Sequence, residues 1–323
     1  MKYLSEPRAV RSTGVMTPIV HRRYGVPVET TFGLACTLFT LFCCDPLLPV
    51  YAGPPQLPPL TTVSGNPRLP GKFVWADLVT DDIPAARKFY GELFGWGFYS
   101  QGNYTIVVNA EHPLCGMFQR ERPKDGSAQP RWFGYISVGN VNKAQKTVIK
   151  LGGRVLAAPQ DFPKRGEQAV FADPEGAVFG VLKSSGGDPE DFLADPGDWI
   201  WIELLSRDAR KAGEFYRAVA GYDIVENATS PRPEDYVLVS EGYARAAALT
   251  LAKEVSSSAP TWILFVRVKN LSESVAKATQ LGGKILLQPN AKLLEGKLAV
   301  IEDPSGAALG VMEWSAEALK GAR

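Results

Sequence analysis

At 323 residues, with 45% hydrophobic and 21% charged side chains, the chain has the composition of an ordinary globular protein and room for about two domains, which excludes wholesale disorder. Beyond residue 52 there are 30 basic and 31 acidic side chains, and the whole chain carries a formal net charge of +1. No regional excess of positive charge marks it for nucleic acid.

The N-terminal segment, residues 1–52, does not read as part of a fold. Phe32 to Cys44 (FGLACTLFTLFCC) is uncharged and follows Arg22 and Arg23, the order of a signal-peptide core, and it is too short to span a bilayer comfortably. Val50-Tyr51-Ala52 resembles a signal-peptidase site, and Leu41-Phe42-Cys43-Cys44 loosely resembles the lipid-attachment box of lipoproteins. Met16 is an alternative start that would shorten the basic region. The expectation is an exported, periplasmic or membrane-anchored protein of the cell envelope; a buried helix or an apolar tail is the alternative. Residues 53–70 follow as a Pro-rich linker, in which GPPQLPPL (53–60) reads as a stiff spacer. Cys36, Cys43 and Cys44 lie in the apolar stretch and Cys115 alone in the presumed folded part, so no intradomain disulfide framework is expected.

From there the sequence is written twice. FVWADLVTDDIPAARKFYGELFGWGF (73–98) overlays WIWIELLSRDARKAGEFYRAVAGYDI (199–224) without a gap at an offset of 126. At an offset of 130, RWFGYISVGNV (131–141) meets TWILFVRVKNL (261–271), LGGRVL (151–156) meets LGGKIL (281–286), and FADPEGAVFGV (171–181) meets IEDPSGAALGV (301–311). Agreement in several places in one order over about a hundred residues is the signature of a tandem duplication. Two domains, 71–184 and 198–317, are therefore expected, joined by a turn-rich, acidic linker at 185–197.

Each unit reads as a strand, a helix and further short strands, and then the same again. In the first, a strand at Phe73–Val79 precedes a helix with Ile83, Ala86, Phe89, Tyr90 and Leu93 on one face. Asp82 and Asp208 stand where N-caps belong. Strands near Tyr104–Val108, Leu114–Phe118 and Trp132–Val138 come next, and Asn140 caps a helix at Val141–Leu151 that Gly152 stops. Asn270 with Glu273 forms a version of the capping box. Asp173-Pro174-Glu175-Gly176 and Asp303-Pro304-Ser305-Gly306 are tight turns.

The strand followed by D-x(6)-FY, the L-F-G-W ending at Leu93–Trp96, and the LGG and DPxG-A-x-x-G-V segments together resemble the vicinal oxygen chelate superfamily of glyoxalases, bleomycin-resistance proteins and extradiol dioxygenases. The resemblance covers both units. It implies an α+β fold of two tandem vicinal-oxygen-chelate units, each built from two βαβββ modules whose curved mixed sheets form a cavity. The family's enzymes hold a divalent metal there, with a histidine or similar ligand from the first strand of each module and a glutamate from the last. Here the corresponding positions are Trp75, Phe133 and Gly180 in the first unit and Trp201, Ile263 and Gly310 in the second. None offers a side-chain lone pair to such a cation, so no metal or other cofactor is expected.

Alternation along the first strand puts Asp77 on the face of Trp75, and Glu203 on the face of Trp201. The candidate ligand-binding residues are therefore Trp75, Asp77, Phe133, Trp201 and Glu203: aromatic floors with a carboxylate each, suited to a flat or cationic organic molecule. The alternative is that the tryptophans fill the bowls as core. The expected function is binding of a small organic ligand without the usual metal site. The alternative is a lyase or oxidoreductase with displaced metal ligands or a carboxylate base. The chain is expected to be either a monomer with two paired units or a homodimer.

Overall fold

The computed structural model describes residues 57–315, apart from 62–64, 123–128, 228–229, 231, 252–258 and 292. The expected export segment at 1–52 lies outside the described residues. Among the described residues no helix is long and apolar enough to cross a membrane.

The first unit runs β1 (Phe73–Thr80), α1 (Ile83–Phe94), β2 (Gly97–Gln101), β3 (Tyr104–Asn109), β4 (His112–Gln119), β5 (Arg131–Ser137), α2 (Val141–Lys150), β6 (Arg154–Phe162), β7 (Gly166–Ala172) and β8 (Val178–Ser184). The second repeats it as β9 (Trp199–Ser206), α3 (Ala209–Ala220), β10 (Asp223–Glu226), β11 (Tyr236–Ser240), β12 (Tyr243–Thr250), β13 (Thr261–Val268), α4 (Leu271–Gln280), β14 (Lys284–Leu287), β15 (Leu298–Glu302) and β16 (Ala308–Glu313). Each unit is one eight-stranded mixed sheet, ordered β2-β3-β4-β1-β5-β8-β7-β6 and β10-β11-β12-β9-β13-β16-β15-β14. The two modules of a unit meet at its centre, where β1 runs antiparallel to β5 and β9 to β13. The α+β fold of two tandem units, each with two βαβββ modules, is the one expected.

The helices begin where their caps put them. The Asp82 and Asp208 carboxylates accept from the amides of Ala85 and Lys211, and Asn140 and Asn270 accept from Lys143 and Glu273. Glu273 departs from the standard box: its carboxylate takes the side-chain amide of Asn270, not the backbone amide. Gly95 and Gly221 end α1 and α3 in the left-handed conformation, at φ of 78° and 81°.

One apolar core runs through both units on the helix side of the sheets. It joins Ala76, Leu78, Phe89, Trp132 and Ile136 of the first unit to Leu204, Phe215, Trp262 and Leu264 of the second. The junction is fastened twice by the same contact in opposite directions. Tyr90, the tyrosine of the first FY pair, donates to Asp303 of the second DPxG turn at 2.9 Å and accepts from the Trp132 indole at 2.8 Å. Tyr216 donates to Asp173 at 3.1 Å and accepts from Trp262 at 2.9 Å. Burial raises the pKa of both aspartates. Trp96 donates to the Gly197 carbonyl at 2.8 Å, and Tyr222, its counterpart 126 residues on, donates to the Gly71 carbonyl. The repeated motifs thus hold one unit to the other about a pseudo-twofold axis.

Candidate functional site

Residues Trp75, Asp77, Phe133 and Tyr135 share the face of the first sheet turned away from the helices, since Trp75 pairs with Tyr135 and Asp77 with Phe133 across β1 and β5. In the second sheet the same face carries Trp201, Glu203, Ile263 and Phe265, paired in the same way. The five predicted ligand-binding residues therefore fall into two groups, one per bowl, and the structure does not bring them into a single site. Trp75 and Trp201 do line a common open cavity of about 1010 Å³, with Phe73, Lys72, Trp199 and Arg245; Asp77, Phe133 and Glu203 lie outside its lining.

The first bowl is closed. The Asp77 carboxylate is 1% exposed and accepts from Tyr104 Oη at 2.6 Å and Trp75 Nε1 at 3.0 Å. Burial raises its pKa, opposed by the charge of Arg165 and by the hydrogen bonds from Tyr104, Tyr135 and Trp75. Arg165 is itself buried, its guanidinium 4.2 Å over the Trp75 ring. The former spacer residues Leu57 and Leu60 are packed chain here: Leu60 sits among Trp75, Phe133 and Tyr135, and Leu57 against Tyr104 and Phe162. Gly116, opposite Asp77, leaves room for this cluster, because a Cβ there would lie 1.8 Å from Tyr104 Oη.

The second bowl is half-buried. Its floor of Ile263, Phe265 and Met312 is flanked by Trp201, Leu205, Val300 and Trp314, all partly exposed. Glu203 is also partly exposed, and among the described residues its carboxylate takes one hydrogen bond, from Trp201 Nε1 at 3.2 Å. Desolvation pushes its pKa up to about 7, with the neighbouring Asp235 acting in the same direction and Arg232 against it. It is a carboxyl poised between its two protonation states at neutral pH, on an apolar surface that solvent reaches.

The last-strand glycines have a steric reason. A Cβ on Gly180 would meet the Tyr135 ring at 2.3 Å, and one on Gly310 would meet the Phe265 ring at 2.2 Å. An aromatic ring therefore occupies, in each unit, the place from which a glutamate would reach a metal. With Trp75, Phe133, Trp201 and Ile263 at the other ligand positions, the donor set does not fit a divalent cation. Among the described residues no three His, Cys, Asp or Glu side chains are grouped to hold one. Cys115 is buried and desolvation raises its thiol pKa well above normal, which disfavours the reactive thiolate. His112 meets Asp198 at 2.9 Å beside the cavity.

Residues 72–181 match the model of the Glyoxalase/Bleomycin resistance protein/Dioxygenase superfamily, and residues 199–312 match that of the Glyoxalase-like domain. Both units are glyoxalase-superfamily domains. Among curated proteins, this tandem glyoxalase-like chain is 27% identical over 247 residues to "Putative glyoxylase CFP32" of Mycobacterium tuberculosis (strain CDC 1551 / Oshkosh), covering 74% of this chain and 93% of that one. It is 28% identical over 264 residues to the anthracycline biosynthesis protein DauV of Streptomyces sp. (strain C5), covering 76% and 94%. Among solved structures, the Mn(II)-bound glyoxalase of Novosphingobium aromaticivorans superposes with a TM-score of 0.53 at 15% identity, covering 76% of this chain and 82% of that one. A substrate complex of homoprotocatechuate 2,3-dioxygenase from Brevibacterium fuscum gives 0.53 at 14%, covering 77% and 82%. These two share the fold.

Sequence reasoning missed Tyr104, Tyr135, Arg165 and the leucines of the spacer. Tyr135 was within reach, because it stands two residues from Phe133 and must share its face. Arg165 lies in the turn between β6 and β7, where no periodicity points.

Proposed function

We propose that this glyoxalase-like protein binds a small, flat organic molecule in its second bowl, without the superfamily's metal site, and that it does so at the cell envelope, a location supported by the signal-like order of its N-terminal sequence. The observation that carries the reading is Glu203: a partly exposed carboxyl held by a 3.2 Å hydrogen bond from Trp201, beside a floor of Ile263, Phe265 and Met312 that Trp201 and Trp314 flank. The rings offer stacking, and the carboxyl offers an acceptor or a counter-charge to an amine. The likeness to anthracycline biosynthesis proteins supports the choice of probe, since an anthracycline is a planar polycycle with an amino sugar. Titration with an anthracycline, followed by tryptophan quenching and melting shift, is expected to show saturable binding that Trp201→Ala and Glu203→Gln each weaken about tenfold, the loss of roughly one charged hydrogen bond or stacked ring. Binding that neither substitution alters would sink this reading.

The pKa of about 7 at Glu203 supports a second reading, an enzyme in which this carboxylate takes a proton from a bound substrate. Turnover of the methylglyoxal–glutathione adduct or of catechols, abolished by Glu203→Gln and untouched by chelator, would favour it over binding alone.

A further inference from the structure

The first bowl holds a feature that neither the fold nor the proposed ligand site uses. Leu57-Pro58-Pro59-Leu60 crosses it with both leucines buried, at 3% and 8% exposure. The two prolines fix φ near −65° and favour a polyproline II course, in which residues three apart share a face about 9 Å apart. The two leucines accordingly enter different parts of one aromatic groove, Leu57 against Tyr104 and Phe162 and Leu60 against Trp75, Phe133 and Tyr135. Prolines have no amide hydrogen, so only their carbonyls can be recognised by hydrogen bonding. Arg165 Nε donates to the Pro58 carbonyl at 2.6 Å while the guanidinium lies over Trp75.

This is the chemistry by which proline-rich segments are read: a pre-ordered left-handed helix, aromatic walls, and a donor for a proline carbonyl. In the same groove, Arg165 Nη2 and Gln168 Oε1 are buried without a hydrogen-bond partner among the described residues. The second bowl has neither group: 130 residues on, Arg165 is replaced by Glu295 and Gln168 by Leu298. The site was therefore not imposed by the shared fold.

We propose that the first bowl is a binding site for an extended proline-rich peptide, and that its resident occupant is the chain's own Leu57–Leu60 segment. As an intramolecular ligand, the segment holds the bowl at high effective concentration and shuts small molecules out of it. The test uses the full chain and a fluorescein-labelled peptide of residues 53–61 (GPPQLPPLT). Wild-type protein, whose bowl is filled, is expected to bind the peptide at least tenfold more weakly than Leu57→Asp/Leu60→Asp, whose own segment is released. Adding Arg165→Met to that double variant is expected to remove at least tenfold of the gain. Should the double variant lose cooperative melting, Leu60→Ser, a milder release, carries the same comparison. A folded release variant that binds the peptide no better than wild type, or binding indifferent to Arg165→Met, overturns the proposal. Anthracycline binding at Trp201 is measured separately, so this inference and the reading of the second bowl can fail independently.

Discussion

The two bowls began as copies and have been furnished in opposite ways. Asp77 and Glu203 occupy equivalent positions, yet the first carboxylate is sealed beneath Tyr104, Trp75 and Arg165 while the second keeps one long bond and solvent access. Where the first unit has Gly116, the second has Ala247, each paired with the carboxylate-bearing residue of the neighbouring strand. Glycine there admits the Tyr104 hydroxyl; in the second unit Asp235 holds the place of Tyr104 and no ring needs the space. The difference shows how one fold can make a polar residue structural in one copy and available in the other.

The largest expected effect tests that contrast at the carboxylates. Asp77→Ala leaves the Arg165 charge uncompensated and the buried Tyr104 and Tyr135 hydroxyls without this acceptor, while Trp75 keeps its bond to Tyr104; it should cost about 3–5 kcal/mol by denaturant unfolding. Glu203→Ala removes a carboxyl that burial already disfavours, and is expected to cost less than about 1 kcal/mol. Equal costs would mean that the second bowl is as closed as the first. Next in size is Gly116→Ala, whose added Cβ must displace Tyr104 and should cost about 3 kcal/mol. Ala247→Gly, the reverse change in the other copy, should cost only about 0.5–1 kcal/mol from backbone freedom.

Glu203 also sets a pH dependence. Its pKa is raised from 4.5 to about 7, so between those values the folded protein keeps a proton that the unfolded chain has released. Stability contributed by this group must then fall as pH rises from about 4.5 to 7 and level off above. The change is on the order of 2 kcal/mol once partial solvent exposure is allowed for. Buried Asp77, Asp173 and Asp303 are shifted in the same direction, so the measurement is a difference: the melting temperature of wild type minus that of Glu203→Gln between pH 5 and pH 8. A difference that does not shrink with rising pH contradicts the assignment.

The fold was legible because its determinants are local and repeated. Strand alternation at Phe73–Val79, caps at Asp82, Asn140, Asp208 and Asn270, and glycine stops recur at fixed offsets, and each acts within a few residues of itself. The face shared by Trp75 and Asp77 follows from alternation alone. What covers that face does not, because Arg165 and Leu57–Leu60 are placed by contacts about a hundred residues apart in the chain, and a Pro-rich stretch has the same composition whether it spans solvent or fills a groove. Gly180 and Gly310 were legible as missing ligands, but the reason for glycine, a ring from the adjacent strand, needs the pairing of Tyr135 and Phe265.

The smallest predicted effect concerns what the two copies still share. Tyr90 of the first FY pair was read from sequence as a helix-face residue, and the DPxG aspartates as turn residues. In the fold each tyrosine crosses to the other unit's aspartate, with Trp132 or Trp262 donating to its hydroxyl. Tyr90→Phe leaves Asp303 and the Trp132 indole each short of one partner, at a cost of about 1–2 kcal/mol, and Tyr216→Phe should match it within about 0.5 kcal/mol. The bowls are expected to respond unequally to equivalent substitutions and the junction equally, in thermal unfolding of the same set of variants. Unequal costs at the two tyrosines would show that the asymmetry reaches the core, and that the first bowl's closure is coupled to how the units are joined.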